Sequence, residues 1–188
     1  MLAWAALHDG RALALCRTVP REKCDEALPG ITGVVTNQRQ KNISASVRNR
    51  LLALARKRGE DFQQIITRYG LERVLYRISQ SHHRDRFILK GAMLFAVWED
   101  QPHRPTRDVD FLGFGDSTQE ALQAVFRDIC DTPVVDDGLV FASESVRTAS
   151  IREATEYGSM RVTLSADLAG ARIPIQADIG FGDTVTPD

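Results

Sequence analysis

Arg107-Asp108-Val109-Asp110-Phe111-Leu112-Gly113 is the segment on which the reading of this chain turns. Val109 to Leu112 has the composition of a short strand, and side chains on a strand alternate between its two faces. Asp108 and Asp110, two apart, are therefore expected to point the same way. Two carboxylates on one face repel each other unless a cation sits between them. Mg²⁺ takes one or two carboxylates together with substrate phosphates, so the pair fits a site for Mg²⁺-dependent phosphoryl or nucleotidyl transfer.

The rest of the chain sets bounds on that reading. Its 188 residues are enough for one domain with a real core, and 43% hydrophobic with 26% charged residues is the balance of a water-soluble globular protein. No stretch reaches the apolar length of a membrane span. The apolar start, Met1 to Leu7, lacks a basic leader and does not read as a signal peptide. Cys16, Cys24 and Cys130 form no C-x-x-C pair, which argues against a disulfide framework or a zinc site and for reduced thiols in the cytoplasm.

The net charge of −1 hides an asymmetry. Residues 41–86 hold eleven Lys/Arg against four Asp/Glu, whereas residues 87–188 hold eight against seventeen. A basic segment at 41–86 thus precedes an acidic part at 87–188 that carries the Asp pair. A basic patch attracts nucleic acid, although helices also carry solvated Lys and Arg routinely. Residues 1–40 differ from both. Pro20, Pro29, Gly10, Gly30 and Gly33 break any periodicity, so a poorly ordered arm is expected there, with a short helix from Trp4 to Cys16. A start site placed upstream of the true one would explain such an arm.

Ordered structure is expected from about Asn42. Ser44 or Ser46 is a helix-cap candidate, and Val47, Leu51, Leu54 and Ala55 form an apolar stripe that ends at Gly59. A second helix is expected from Asp61 to about Gln80, with a kink at Gly70. Ala92 to Trp98 reads as a buried helix, followed by a loop over 99–105. Ser117-Thr118-Gln119-Glu120 reads as a capping box, and the helix after it carries Leu122, Val125, Phe126 and Ile129. Asp136-Asp137-Gly138 signals a turn before a short strand at Leu139–Phe141. Met160–Ala166 and Ile173–Ile179 read as two strands joined by a hairpin over 167–172.

Three further features join the Asp pair. The glycine turn at Lys90-Gly91-Ala92 opens a helix, where free backbone N–H groups suit phosphate oxygens. Asp178 lies at the exit of the last strand, opposite in facing to Ile173, Ile175, Ala177 and Ile179, and is a candidate third carboxylate; Asp183 is its rival. Arg104 and Arg107 either steer a triphosphate or pair with Asp108 or Asp110. Lys90 either touches phosphate or caps a surface turn. His82, His83 and His103 show no ligand-like spacing with other His or Cys, so surface polar roles are expected.

Taken in order, Phe87-Ile-Leu-Lys-Gly-Ala-Met-Leu-Phe95, Arg104-Pro-Thr-Arg-Asp-Val-Asp-Phe-Leu112 and Ile173-Pro-Ile-Gln-Ala-Asp-Ile-Gly-Phe-Gly-Asp183 resemble the nucleotidyltransferase fold of the DNA polymerase β superfamily. The finer resemblance is to the AbiEii/AbiGii toxin nucleotidyltransferases, over roughly residues 42–188. It implies an α/β (α+β) fold: a small mixed sheet flanked by helices, preceded by a helical segment. It also implies a toxin of a toxin–antitoxin or abortive-infection system. Such an enzyme moves a nucleotide from an NTP to a hydroxyl of RNA, such as tRNA, or of a protein, with two Mg²⁺ ions and an antitoxin partner. Asp108, Asp110 and Asp178 take the metal and catalytic roles, and Lys90, Gly91, Ala92, Arg104 and Arg107 the nucleotide-binding roles. Two departures stand out. Ala92 replaces the second small residue of the usual Gly-Ser or Gly-Gly pair, which removes a hydroxyl from the phosphate turn. Similar family members also continue past the position of Asp188 with a helical half whose Lys and Asp contact the nucleotide, so a C-terminal truncation is implied. The alternative reading is a catalytically inactive remnant that binds antitoxin or RNA.

Overall fold

The computed structural model describes residues 37–91, 93, 107–151 and 158–182, with side-chain detail from 43 onward. The elements are α1 (Asn37–Arg58), α2 (Phe62–Gln80), a 3₁₀ turn (Arg84–Arg86), β1 (Phe87–Lys90), β2 (Val109–Gly113), α3 (Gln119–Cys130), β3 (Val140–Ile151), β4 (Ser159–Leu168) and β5 (Ala171–Phe181). The five strands form one mixed sheet in the order β1-β2-β5-β4-β3. Only β2 and β5 run parallel; the other neighbours are antiparallel. None of the described helices is long and apolar enough to cross a membrane.

The two faces of the sheet divide by sequence parity. On β5, Ile173, Ile175, Ala177 and Ile179 are all at most 2% exposed, which places the alternate residues Gln176 and Asp178 on the opposite face. Val109, Phe111, Val162 and Leu164 join the apolar face. α2 and α3 pack onto it: Phe126 of α3 meets the Phe87 ring edge-on at 5.6 Å, and Gly70 of α2 lies against Ile173 and Ile175. A Cβ at Gly70 would come within 2.9 Å of Ile173 Cγ2, so glycine lets the helix approach the sheet. α2 runs continuously through Gly70, and the close packing accounts for glycine there. α1 belongs to the same core through Val47, Leu51 and Ala55.

Several boundaries differ from expectation. α1 starts at Asn37, so Ser44 lies inside the helix, where its Oγ donates to the Gly138 carbonyl at 2.7 Å. Asp61 caps α2 by accepting from the Gln64 N–H at 3.1 Å. Thr118, not Ser117, caps α3, accepting from Ala121 N–H. β3 runs twelve residues instead of three. Its last nine residues, Ser143–Ile151, have little apolar alternation, and its register shifts between Ala142 and Arg147, so its pairing is set by β4. The β4–β5 turn tightens to Ala169-Gly170, both with positive φ (50° and 82°), and Asp167 Oδ1 accepts from Gly170 N–H at 3.0 Å. The arm at 1–36, most of the helix expected at 92–98 and the loop at 99–105 lie outside the described residues; Met93 is helical and buried. Cys130 is buried and free, and burial pushes its thiol pKa up to about 12.

The turn before β3 is fixed by charge. Asp137, predicted only as a turn residue, accepts from Arg73 Nε at 2.6 Å and from Arg77 Nη1 at 2.7 Å, while its carbonyl accepts from the Tyr69 hydroxyl at 2.7 Å. Its Oδ1 also accepts from Leu139 N–H at 3.0 Å. Burial opposes ionisation of this carboxyl, but the Arg77 and Arg73 contacts outweigh it and hold the pKa below its ordinary value. Burial pushes the Tyr69 phenol up to about 12, with Asp137 adding to the effect. Removing the Asp137 charge strands two guanidinium groups on α2. Asp137→Asn is expected to cost about 3 kcal/mol at pH 7 in urea denaturation. Because the folded pKa is depressed, the stabilisation is present above the unfolded Asp value and fades as pH falls through the folded one. The gap between wild type and variant should therefore close in acid.

Candidate active site

A row of charged side chains crosses the polar face of the sheet. Lys90 on β1 pairs with Asp110 on β2, Asp110 pairs in parallel register with Asp178 on β5, and Asp178 pairs with Arg161 on β4. Directly paired residues share a face, and neighbouring strands lie about 4.8 Å apart. The sheet thus presents, side by side, one cation, two carboxylates and a second cation. Asp178 lies inside β5, which continues to Phe181, and not at the strand exit. Asp108 sits at a bend just ahead of β2 instead of on the strand, separated from Asp110 by fully buried Val109.

Asp110 reports on this crowding. Burial raises its carboxyl pKa above the ordinary value, and the negative charges of Asp108 and Asp178 raise it further; Lys90 pulls weakly the other way. Asp108 and Asp178 are therefore each close enough to act on Asp110, although the three carboxylates do not bring their oxygens within 4.8 Å of one another. Carboxylate oxygens are the hard donors that a divalent cation such as Mg²⁺ prefers.

The turn after β1 closes over the same point. Gly91 has φ of 72°, and a Cβ there would run into the Asp110 carboxylate. Glycine is required twice over, for the left-handed backbone and for the contact with Asp110. Arg107 is exposed beside Asp108. Ala92, Arg104 and Asp183 lie outside the described residues.

Arg161 escaped the sequence reading. It forks onto Asp178, donating from Nε to Oδ1 at 2.8 Å and from Nη2 to Oδ2 at 2.7 Å. Its signal lies only in pairing: Met160–Ala166 reads as a strand, but its register against β5 is not a property of that segment. His83, expected at the surface, is not there. It is buried, with Nε2 3.3 Å from Asp128 Oδ2, and His82 joins the two in a group with ligand-type atoms within 4.8 Å of one another. Burial lowers the His83 pKa despite Asp128, which favours a neutral ring. Asp128 is 45 residues away, so no local spacing reveals this group, which sits at the Phe87 end of β1, away from Lys90.

The strained carboxylate has a signature in stability. A folded pKa raised above the unfolded one favours the folded state at low pH and penalises it as pH rises through the folded value. Asp110→Asn removes that penalty. Its thermal midpoint should exceed that of wild type at pH 7 in metal-free buffer, and the gain should shrink toward pH 3. A variant less stable than wild type at pH 7 would contradict the electrostatics described.

A family model described as nucleotidyl transferase AbiEii toxin, type IV toxin–antitoxin system, matches residues 73–188. The match begins inside α2, later than the resemblance read from the sequence, and takes in every strand of the sheet and the whole charged row. No curated protein and no solved structure matches the chain. With more than half of its length covered, including the sheet that carries Asp110 and Asp178, this chain belongs to the AbiEii nucleotidyl transferase toxin family.

Proposed function

We propose that this chain transfers a nucleotide from an NTP to a hydroxyl acceptor, with Asp108, Asp110 and Asp178 holding Mg²⁺. The observation that carries this reading is the pairing of Asp110 with Asp178 on parallel neighbouring strands, within electrostatic reach of Asp108. Bound there, Mg²⁺ would supply positive charge against the triphosphate and polarise the α-phosphate. The backbone at Gly91 turns beside Asp110 with no side chain in the way, so it is the segment that would approach the phosphates. Lys90, next to Asp110 in the row, contributes a point charge on the same side. Asp178 lies farther along the row and would orient the acceptor hydroxyl or take its proton as the new oxygen–phosphorus bond forms and pyrophosphate leaves.

RNA is favoured over protein as the acceptor by α1, whose 22 residues include seven Lys/Arg and no Asp/Glu. Arg50, Arg56, Lys57 and Arg58 are exposed on it, the pattern of a surface that meets phosphate backbones. The family also implies a cognate antitoxin as partner.

The test is label transfer from each of the four α-labelled NTPs, with Mg²⁺, into total RNA or into added protein. Asp108→Asn and Asp110→Asn should each cut transfer on the order of a hundredfold or more, as expected when charge stabilisation of a transition state is removed. Transfer that survives both substitutions would sink the catalytic assignment. RNA retention without any transfer, equal in wild type and Asp variants, would favour an inactive RNA-binding remnant.

A further inference from the structure

We infer that Arg161 is an intrinsic counter-cation of the carboxylate site, which holds Asp178 by both oxygens and competes with divalent metal for it. The inference deepens the proposed metal-site reading and rests on it. Arg161 is the direct cross-strand partner of Asp178, and its planar guanidinium meets the carboxylate with two hydrogen bonds, at 2.8 and 2.7 Å. Fork-to-fork pairing of this kind fixes orientation as well as charge. Gln176, two residues before Asp178 on the same strand face, supports it. With its carboxamide oxygen turned toward Arg161, the orientation that satisfies both groups, it accepts from Nε and Nη2 at 3.3 Å each. Arg161 is thus anchored by two residues of β5 at once.

The consequence follows from charge. Lys90 and Arg161 stand at opposite ends of the row, beside Asp110 and Asp178 respectively. Arg161 occupies a lone pair on each Asp178 oxygen, the same atoms that a metal would use. A divalent ion drawn to Asp178 meets a guanidinium already there and must displace it or share the carboxylate with it. Arg161 therefore keeps the third carboxylate ordered when no metal is bound and weakens metal loading onto it.

The experiment uses Mn²⁺ alone as the probe, with free ion quantified by electron paramagnetic resonance on the full chain without nucleotide. Removing a unit charge about 5 Å from a divalent ion in a water-like dielectric should tighten binding roughly tenfold. Arg161→Gln is expected to show that gain, Arg161→Lys, which keeps the charge but not the two-point fork, a smaller one, and the double variant Arg161→Gln/Asp178→Asn to lose the gain. A folded Arg161→Gln protein with wild-type or weaker Mn²⁺ affinity overturns the inference while leaving the metal site standing, provided that wild-type binding is abolished by Asp110→Asn. If neither wild type nor Arg161→Gln binds Mn²⁺ in a way that depends on Asp110, both the inference and the metal-site reading fall. Should Arg161→Gln not fold, the wild type decides. The Arg161 Nε–H resonance, assigned by its loss in Arg161→Lys, should shift on addition of Mg²⁺. A resonance unmoved at saturating Mg²⁺ overturns the proposal.

Discussion

The pairing of β2 with β5 is the constraint on which the rest of the molecule depends. It is the only parallel pairing among the described strands. It sets Asp110 beside Asp178 and, on the other face, Val109 beside Ala177 and Phe111 beside Ile179. A slip by one residue would exchange the two sets, turning carboxylates into the core and isoleucines into water. The apolar face therefore enforces the register, and the register places the like charges together. Burial of Ile173, Ile175 and Ile179 in the core, the first two against α2, contributes the free energy that tolerates this crowding.

The protein uses its charges in two opposite ways. At Asp137 attraction dominates: two arginines from α2, a neighbouring N–H and a tyrosine hydroxyl converge on one turn, although the buried Arg77 Nε finds no hydrogen-bond partner. That cluster ties the turn before β3 to α2 and stabilises the fold. Around Asp110 the balance is reversed. Burial and two neighbouring carboxylates work against its ionisation, with one lysine in partial compensation. Proteins retain such an unfavourable arrangement where it serves a task, and binding a cation relieves it. Arg161 lies between these cases, because it satisfies Asp178 while lying in line with the crowded site.

Much of the fold was legible because its signals are local. The helix expected from Asp61 to about Gln80, the alternation of β5 and the turn at Gly138 each rest on residues a few positions apart. Expectation failed where the signal was not local. Ser143 to Ile151 carries no strong alternation and becomes strand because β4 offers it hydrogen-bonding partners. Gly70 reads as a kink in α2 until Ile173, a hundred residues on, shows what it makes room for. His83 reads as a surface residue until Asp128 and burial reassign it.

The sequence by itself determined which residues are candidates: Asp108 and Asp110 by spacing, Asp178 by its parity against an apolar strand, and Gly91 by its place between a lysine and a helix start. Spacing and parity are properties of one segment, fixed by the geometry of a strand. Tertiary structure alone decided who stands next to whom. That Asp110 touches the field of Asp178, that Gly91 is glycine because of Asp110, and that Arg161 grips Asp178 are all consequences of strand order and register. Those are set by burying apolar surface from distant segments together, and no segment carries that information alone.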